Sequence, residues 1–115
     1  MLVLDEVLEF IAKRISNLRN DRNISARELS LSIGQNKNYI NTIESLTAKP
    51  SIDGLVYVCD YFNLTLAEFF DEGTNNPLQI KELHEAAKKL DTDSLNLLIE
   101  TARKINGNKK LVSHF

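Results

Sequence analysis

SARELSLSIGQNKNYINTIE, residues 25–44, decides the fold. Ser25 followed three residues later by Glu28 is a capping-box pattern that opens a short helix, with the serine hydroxyl accepting from the Glu28 amide. Leu29 and Ile33 give that helix a core face, and small Ser30 lets another helix approach. Gly34 stops it and permits a left-handed turn. Asn36 then suits an N-cap for a second helix whose inner face is Ile40 and Ile43. That second helix offers Asn36, Lys37, Asn38 and Asn41 outward, and no carboxylate occurs between Glu28 and Glu44. Side-chain amides pair with adenine and lysine with guanine in a DNA major groove, so the stretch reads as a base-reading element. The bland alternative is an ordinary solvated surface. Asparagine is a mediocre helix former, which makes three of them in one short helix a poor choice for solubility alone.

Helical spacing extends outward on both sides. Leu8, Ile11, Ile15 and Leu18 form one apolar stripe that ends near Asp21–Asn23. Beyond the loop 45–49 and Pro50, Ser51 caps a helix with Ile52, Leu55, Cys59 and Phe62 on its expected buried side. Gly54 inside that helix costs about 1 kcal/mol. Asn63 ends it, and Thr65 with Glu68 forms another capping box for a short helix burying Leu66, Phe69 and Phe70. The polar breaker segment EGTNNP, 72–77, marks an internal boundary. Past it, Ile80, Leu83, Ala87 and Leu90 stripe one helix, and Leu95, Leu98, Ile99, Ala102 and Ile105 stripe another capped by Asp91 or Thr92. Gly107 is expected to terminate it. The fold class is all-α: five helices in a domain over 1–72, a helical pair over 77–107 and a mobile tail over 108–115. Two amphipathic helices cannot bury two stripes alone, so the pair calls for a second copy of itself.

Composition narrows the function. Net charge is −2, distributed as three acids and no base in residues 1–12, net −1 over 13–72 and net +2 over 73–115. Backbone affinity for DNA comes from lysine and arginine, so non-specific binding should be weak. The single cysteine, Cys59, has apolar neighbours and reads as a buried thiol. No run approaches the ~18 apolar residues of a membrane span, and MLVLDEVLEF is acidic where a signal peptide would be basic. A cytoplasmic protein is expected. His84 and His114 are isolated, no Gly-rich phosphate loop or nucleophile constellation occurs, and neither metal, cofactor nor enzymatic activity is expected.

Taken together, Leu18-Arg19, Ile24-Ser25, Glu28-Leu29, Gly34, Ile40, Ile43-Glu44, Pro50-Ser51, Leu55 and Glu68-Phe69-Phe70 carry a resemblance. In order and spacing, from Ile15 to Phe70, the chain resembles the phage-repressor-like (Cro/repressor-type) helix-turn-helix transcription regulators. The resemblance implies that Asn36, Lys37, Asn38, Asn41 and Thr42 read or line the groove. It also implies phosphate contacts at Ser25, Ala26 and Arg27, where amide groups at a helix start face an anion, and at Lys49. Tyr39 either stacks on sugar or phosphate or packs on its neighbours. Arg19 and Glu44 match the family's internal ion pair.

Three positions depart from the family pattern. Ala26 replaces a common glutamine, Ser45-Leu46-Thr47-Ala48 replaces a glycine-containing basic loop, and Gln35 stands where an apolar residue is usual. The first two weaken the expected grip on the DNA backbone. The C-terminal helices resemble a dimerisation appendage, which implies a homodimer on double-stranded DNA with a palindromic operator. A protein-interaction module on the same scaffold is the alternative. A DNA-binding antitoxin or mobile-element regulator is a narrower variant of the first reading. Residues 73–115 are too few to enclose a metabolite pocket, so regulation would come through a protein partner or dimer exchange.

Overall fold

The computed structural model describes residues 3–113, with side chains described to residue 107. Seven helices and no strand occur among them: α1 (Leu4–Asp21), α2 (Ala26–Ser32), α3 (Tyr39–Glu44), α4 (Ile52–Tyr61), α5 (Leu66–Phe69), α6 (Pro77–Ala87) and α7 (Thr92–Ser113). The chain divides into two compact units between Leu78 and Gln79. No helix among the described residues is long and apolar enough to cross a membrane.

In the first unit, Ile11, Ile15 and Leu18 of α1 meet Leu29 of α2, Ile40 and Ile43 of α3, Val58 and Cys59 of α4 and Phe69 of α5. Burying side chains of this size stabilises by about 1.5–3 kcal/mol each, which is what holds such short helices in place. Four of the five helices close in the same way. The residue after the C-cap turns left-handed, at Asn23, Gly34, Leu46 and Asn63. The two amides that follow each C-cap bond back to carbonyls of the last turn, as in Asn63 N to Asp60 O and Leu64 N to Cys59 O.

Serine and threonine open the helices where expected. Ser25, Ser51 and Thr65 each accept from the amide three residues on. Only Thr65–Glu68 completes the reciprocal capping box; Ser25–Glu28 forms its first half. The core face of α4 keeps Leu55, Cys59 and Phe62 of the expected side, and departs from it at Ile52 and Val58. Ile52, the first residue of the helix, is 78% exposed, whereas Val58 is buried beside Cys59. Leu64, just before α5, is buried, whereas Leu66 and Phe70, expected on the buried side, are exposed.

Arg14, only 4% exposed, sits among the apolar positions of α1. Its Nη2 donates to the carbonyls of Asp71 (2.6 Å) and Thr74 (3.0 Å), which follow the end of α5 and have no helical partner. Its guanidinium lies 4.9 Å from the centre of the Phe10 ring. Burial lowers the Arg14 pKa, and the Asp71 carboxylate partly opposes that shift.

In the second unit, Asp91 caps α7 by accepting from the Ser94 amide at 2.8 Å, and that bond lowers its pKa. The helix runs on through Gly107 to Ser113, past the expected stop. Gly107 does not take a left-handed turn, and a glycine within a helix costs only about 1 kcal/mol. Residues 108–113 of the expected tail are thus part of α7; their side chains, and all of 114–115 with His114, lie outside the described residues.

Candidate nucleic-acid interface

The turn between α2 and α3 is built by Gly34 and Ser30. Gly34 has φ +77°, its amide donates to Leu31 O (3.0 Å) and the Gln35 amide donates to Ser30 O (2.9 Å). A side chain at that φ is strained, which explains the glycine. The Ser30 hydroxyl is fully buried, donates to Ala26 O at 2.7 Å and accepts from Ile40 N at 3.0 Å. One small polar group thus stitches the first turn of α3 onto the side of α2. With Ile40 and Ile43 buried behind it, the opposite side of α3 is presented to solvent.

Asn36, Lys37, Asn38 and Asn41 are all exposed. No hydrogen bond or ion pair within the described residues engages the carboxamides of Asn38 and Asn41 or the Lys37 ammonium, so their donors and acceptors remain available. Asn36 behaves differently from the expected helix cap. Its Oδ1 accepts from the Asn38 amide at 2.9 Å, closing a tight turn, and the helix begins two residues later with Asn38 at the N-cap. Asparagine does this readily because its short side chain reaches the backbone two residues on. Its amide NH2 stays free for an acceptor. Thr42 is half-buried, and its hydroxyl donates to Tyr39 O at 2.7 Å. Its carbonyl accepts from Thr47 Oγ1 and Ser45 Oγ, so Thr42 ties the following loop to α3.

The residues expected at phosphates stand at the ends of other elements. Ser25 caps α2 with its hydroxyl, Ala26 is half-buried as the first residue of that helix, and Arg27 is exposed. Lys49 is exposed in the loop before α4 and lines an open depression of about 250 Å³ with Asp5, Leu46 and Pro50 among others. Asp5 puts a negative charge on the wall of the same depression. Tyr39 packs against the core, and its hydroxyl lies 3.5 Å from Ser51 Oγ at the start of α4. Its ring lies over Gly54, where any Cβ would collide with it. That contact accounts for a glycine inside α4.

Arg19 and Glu44 form a two-pronged pair, Nε to Oε2 and Nη2 to Oε1, each at 2.7 Å. Arg19 also donates to Ile24 O at 2.9 Å. The bond to Glu44 raises the Arg19 pKa, against the opposing effect of burial. The pair fastens α1 to the last residue of α3, where a carboxylate alone would be disfavoured by the helix dipole.

Arg14 escaped sequence reasoning as a structural residue. Its signal was a base three residues after Ile11 and four before Leu18, within the apolar stripe. No group of acids, histidines and cysteine able to hold a metal ion occurs among the described residues.

A family model described as a Cro/C1-type HTH DNA-binding domain matches residues 14–71. No curated protein and no solved structure matches the chain. The matched span contains the Gly34 turn, the amide-bearing α3 and the Arg19–Glu44 pair, and on that ground the chain belongs to the Cro/C1-type HTH DNA-binding family.

Proposed function

We propose that this DNA-binding transcriptional regulator is a sequence-specific repressor that binds a palindromic operator as a homodimer. The observation that carries the reading is the exposed, unengaged set Lys37, Asn38 and Asn41 on a helix anchored by Ile40 and Ile43. Asn38 and Asn41 suit adenine, Lys37 suits guanine, and each good contact discriminates by about 1–3 kcal/mol. The free NH2 of Asn36 adds a donor. Thr42, its hydroxyl engaged, lines the groove. Ser25, Ala26, Arg27, Tyr39 and Lys49 position the protein on phosphates without reading sequence.

The second unit supports the dimer. Ile80, Leu83, Leu90, Leu97, Ile99 and Ile105 are all exposed, more apolar surface than an isolated helical pair should leave in water. A second copy of the pair covers it, leaving two α3 helices to enter major grooves about 34 Å apart. A cytoplasmic location goes with this role.

A salt-resolved binding assay on a selected operator tests the reading. Changing Lys37 or Asn38 to alanine lowers the ratio of specific to non-specific affinity. Changing Lys49 to alanine weakens all sequences alike and flattens the salt dependence by about one unit of slope. An unchanged ratio for both α3 variants contradicts base reading. A mass in solution equal to one chain contradicts the dimer.

The protein-interaction alternative has one observation in its favour. Leu46 is 52% exposed in a loop whose residues 45–48 carry no charge. Retained operator preference in the assay separates the two readings.

A further inference from the structure

On α4, Tyr57, Asp60 and Tyr61 follow one another at helical spacing and so share one side of the helix. With Ser32 and Ile33 at the end of α2 they line an open depression of about 390 Å³. Tyr57 and Tyr61 are 44% and 43% exposed, so part of each ring faces water. The Tyr61 ring stands nearly perpendicular to that of Phe62, with ring centres 5.0 Å apart. Asp60 is exposed, and no hydrogen bond or ion pair engages its carboxylate among the described residues. None of Asn36–Thr42, nor Lys49, takes part in this depression.

We propose that Tyr57, Asp60 and Tyr61 form a docking site for an arginine side chain presented by a partner protein. The guanidinium is the group that uses all three residues at once. It is a planar cation that stacks on aromatic faces, and its fork of N–H donors matches a carboxylate with two parallel bonds. A lysine ammonium meets the charge but gains less from stacking. A nucleic acid is the wrong partner, since its phosphates are repelled by Asp60. Because the site shares no side chain with the α3 face, an occupant and DNA use separate residues, and the site stands whether or not α3 reads bases.

The test is a side-chain resonance titration of the full chain with the peptide acetyl-Gly-Arg-Gly-amide, beside versions carrying lysine or neutral citrulline. The arginine peptide shifts the Tyr57 and Tyr61 ring signals saturably. The lysine peptide binds more weakly, and citrulline leaves the signals in place. Asp60→Asn and Tyr57→Leu each weaken arginine binding about tenfold or more, while affinity for DNA stays unchanged. Absence of saturable shifts, equal shifts with citrulline, or undiminished binding in Asp60→Asn overturns the proposal. Conversion of a dimer to a monomer by Asp60→Asn also overturns it, because the occupant is then a second copy of this chain.

Discussion

A methyl group added at Gly54 meets the Tyr39 hydroxyl and ring carbon, so Tyr39 must move off α4 to admit it. Overpacking of this kind costs about 1–3 kcal/mol, whereas alanine's helix preference returns about 1 kcal/mol. Gly54→Ala therefore lowers the unfolding free energy in a denaturant titration; a rise contradicts the contact. Leu46 is the opposite case. It holds φ +63°, a conformation that costs a non-glycine residue about 1–2 kcal/mol. Leu46→Gly relieves that strain at the expense of a more flexible unfolded chain, and raises stability by about 0.5–1 kcal/mol. A loss on substitution shows that the exposed leucine contributes more by packing than its backbone costs. Cys59 was legible as a buried thiol from its apolar neighbours, and burial, with Asp60 adding to it, pushes its pKa up to about 11. Thiolate is the reactive form, so at pH 8 the native protein should resist a disulfide reagent and react only on unfolding. The raised pKa leaves the thiol's contribution to stability intact below the unfolded thiol value near 8.5 and erodes it as pH climbs towards 11.

Among the elements, helix openings were the most readable because a cap needs only one side chain at one spacing. Ser51 and Thr65 cap as their sequence positions imply, and the second even completes its box. Closings were readable where the left-handed residue was Gly34 or Asn63, and unreadable at Leu46, whose residue type gives no hint of that conformation. The start of α3 was misplaced by two residues because the Asn36 side chain turns back onto the Asn38 amide, a local bond that competes with capping. The buried side of α4 was misjudged at Ile52, since periodicity cannot say where on a helix the core begins. Arg14 was missed because its partners are backbone carbonyls more than fifty residues away, invisible to any local pattern. The Arg19–Glu44 tie belongs to this scale, as it fastens the last residue of α3 to α1. With both side chains 15% exposed, removing one partner strands the other charge in a half-dry site. Glu44→Ala should cost about 2–3 kcal/mol in thermal unfolding and loosen α3 in hydrogen exchange, and a loss near zero contradicts the structural role.

For the whole molecule, the proposed division of labour rests on a contrast between the two units. The first surrounds Ile15, Leu18, Leu29, Ile40 and Phe69, each without measurable exposure, and thereby gives α3 a rigid backing. The second leaves Ile80, Leu83, Leu97, Ile99 and Ile105 exposed, which is the ground for proposing that it serves assembly. In the proposed function, reading of bases falls to α3, and net charge −2 makes that proposal depend on those contacts more than on attraction to the DNA backbone. The most direct measurement is selection of bound sites from random DNA, run in parallel with the unaltered chain and with Asn38→Gln and Lys37→Ala. The account predicts a two-fold symmetric site whose preferred base changes or relaxes at one position per half-site in each variant, with the remainder of the site preserved. Identical selected sequences from all three proteins would contradict it.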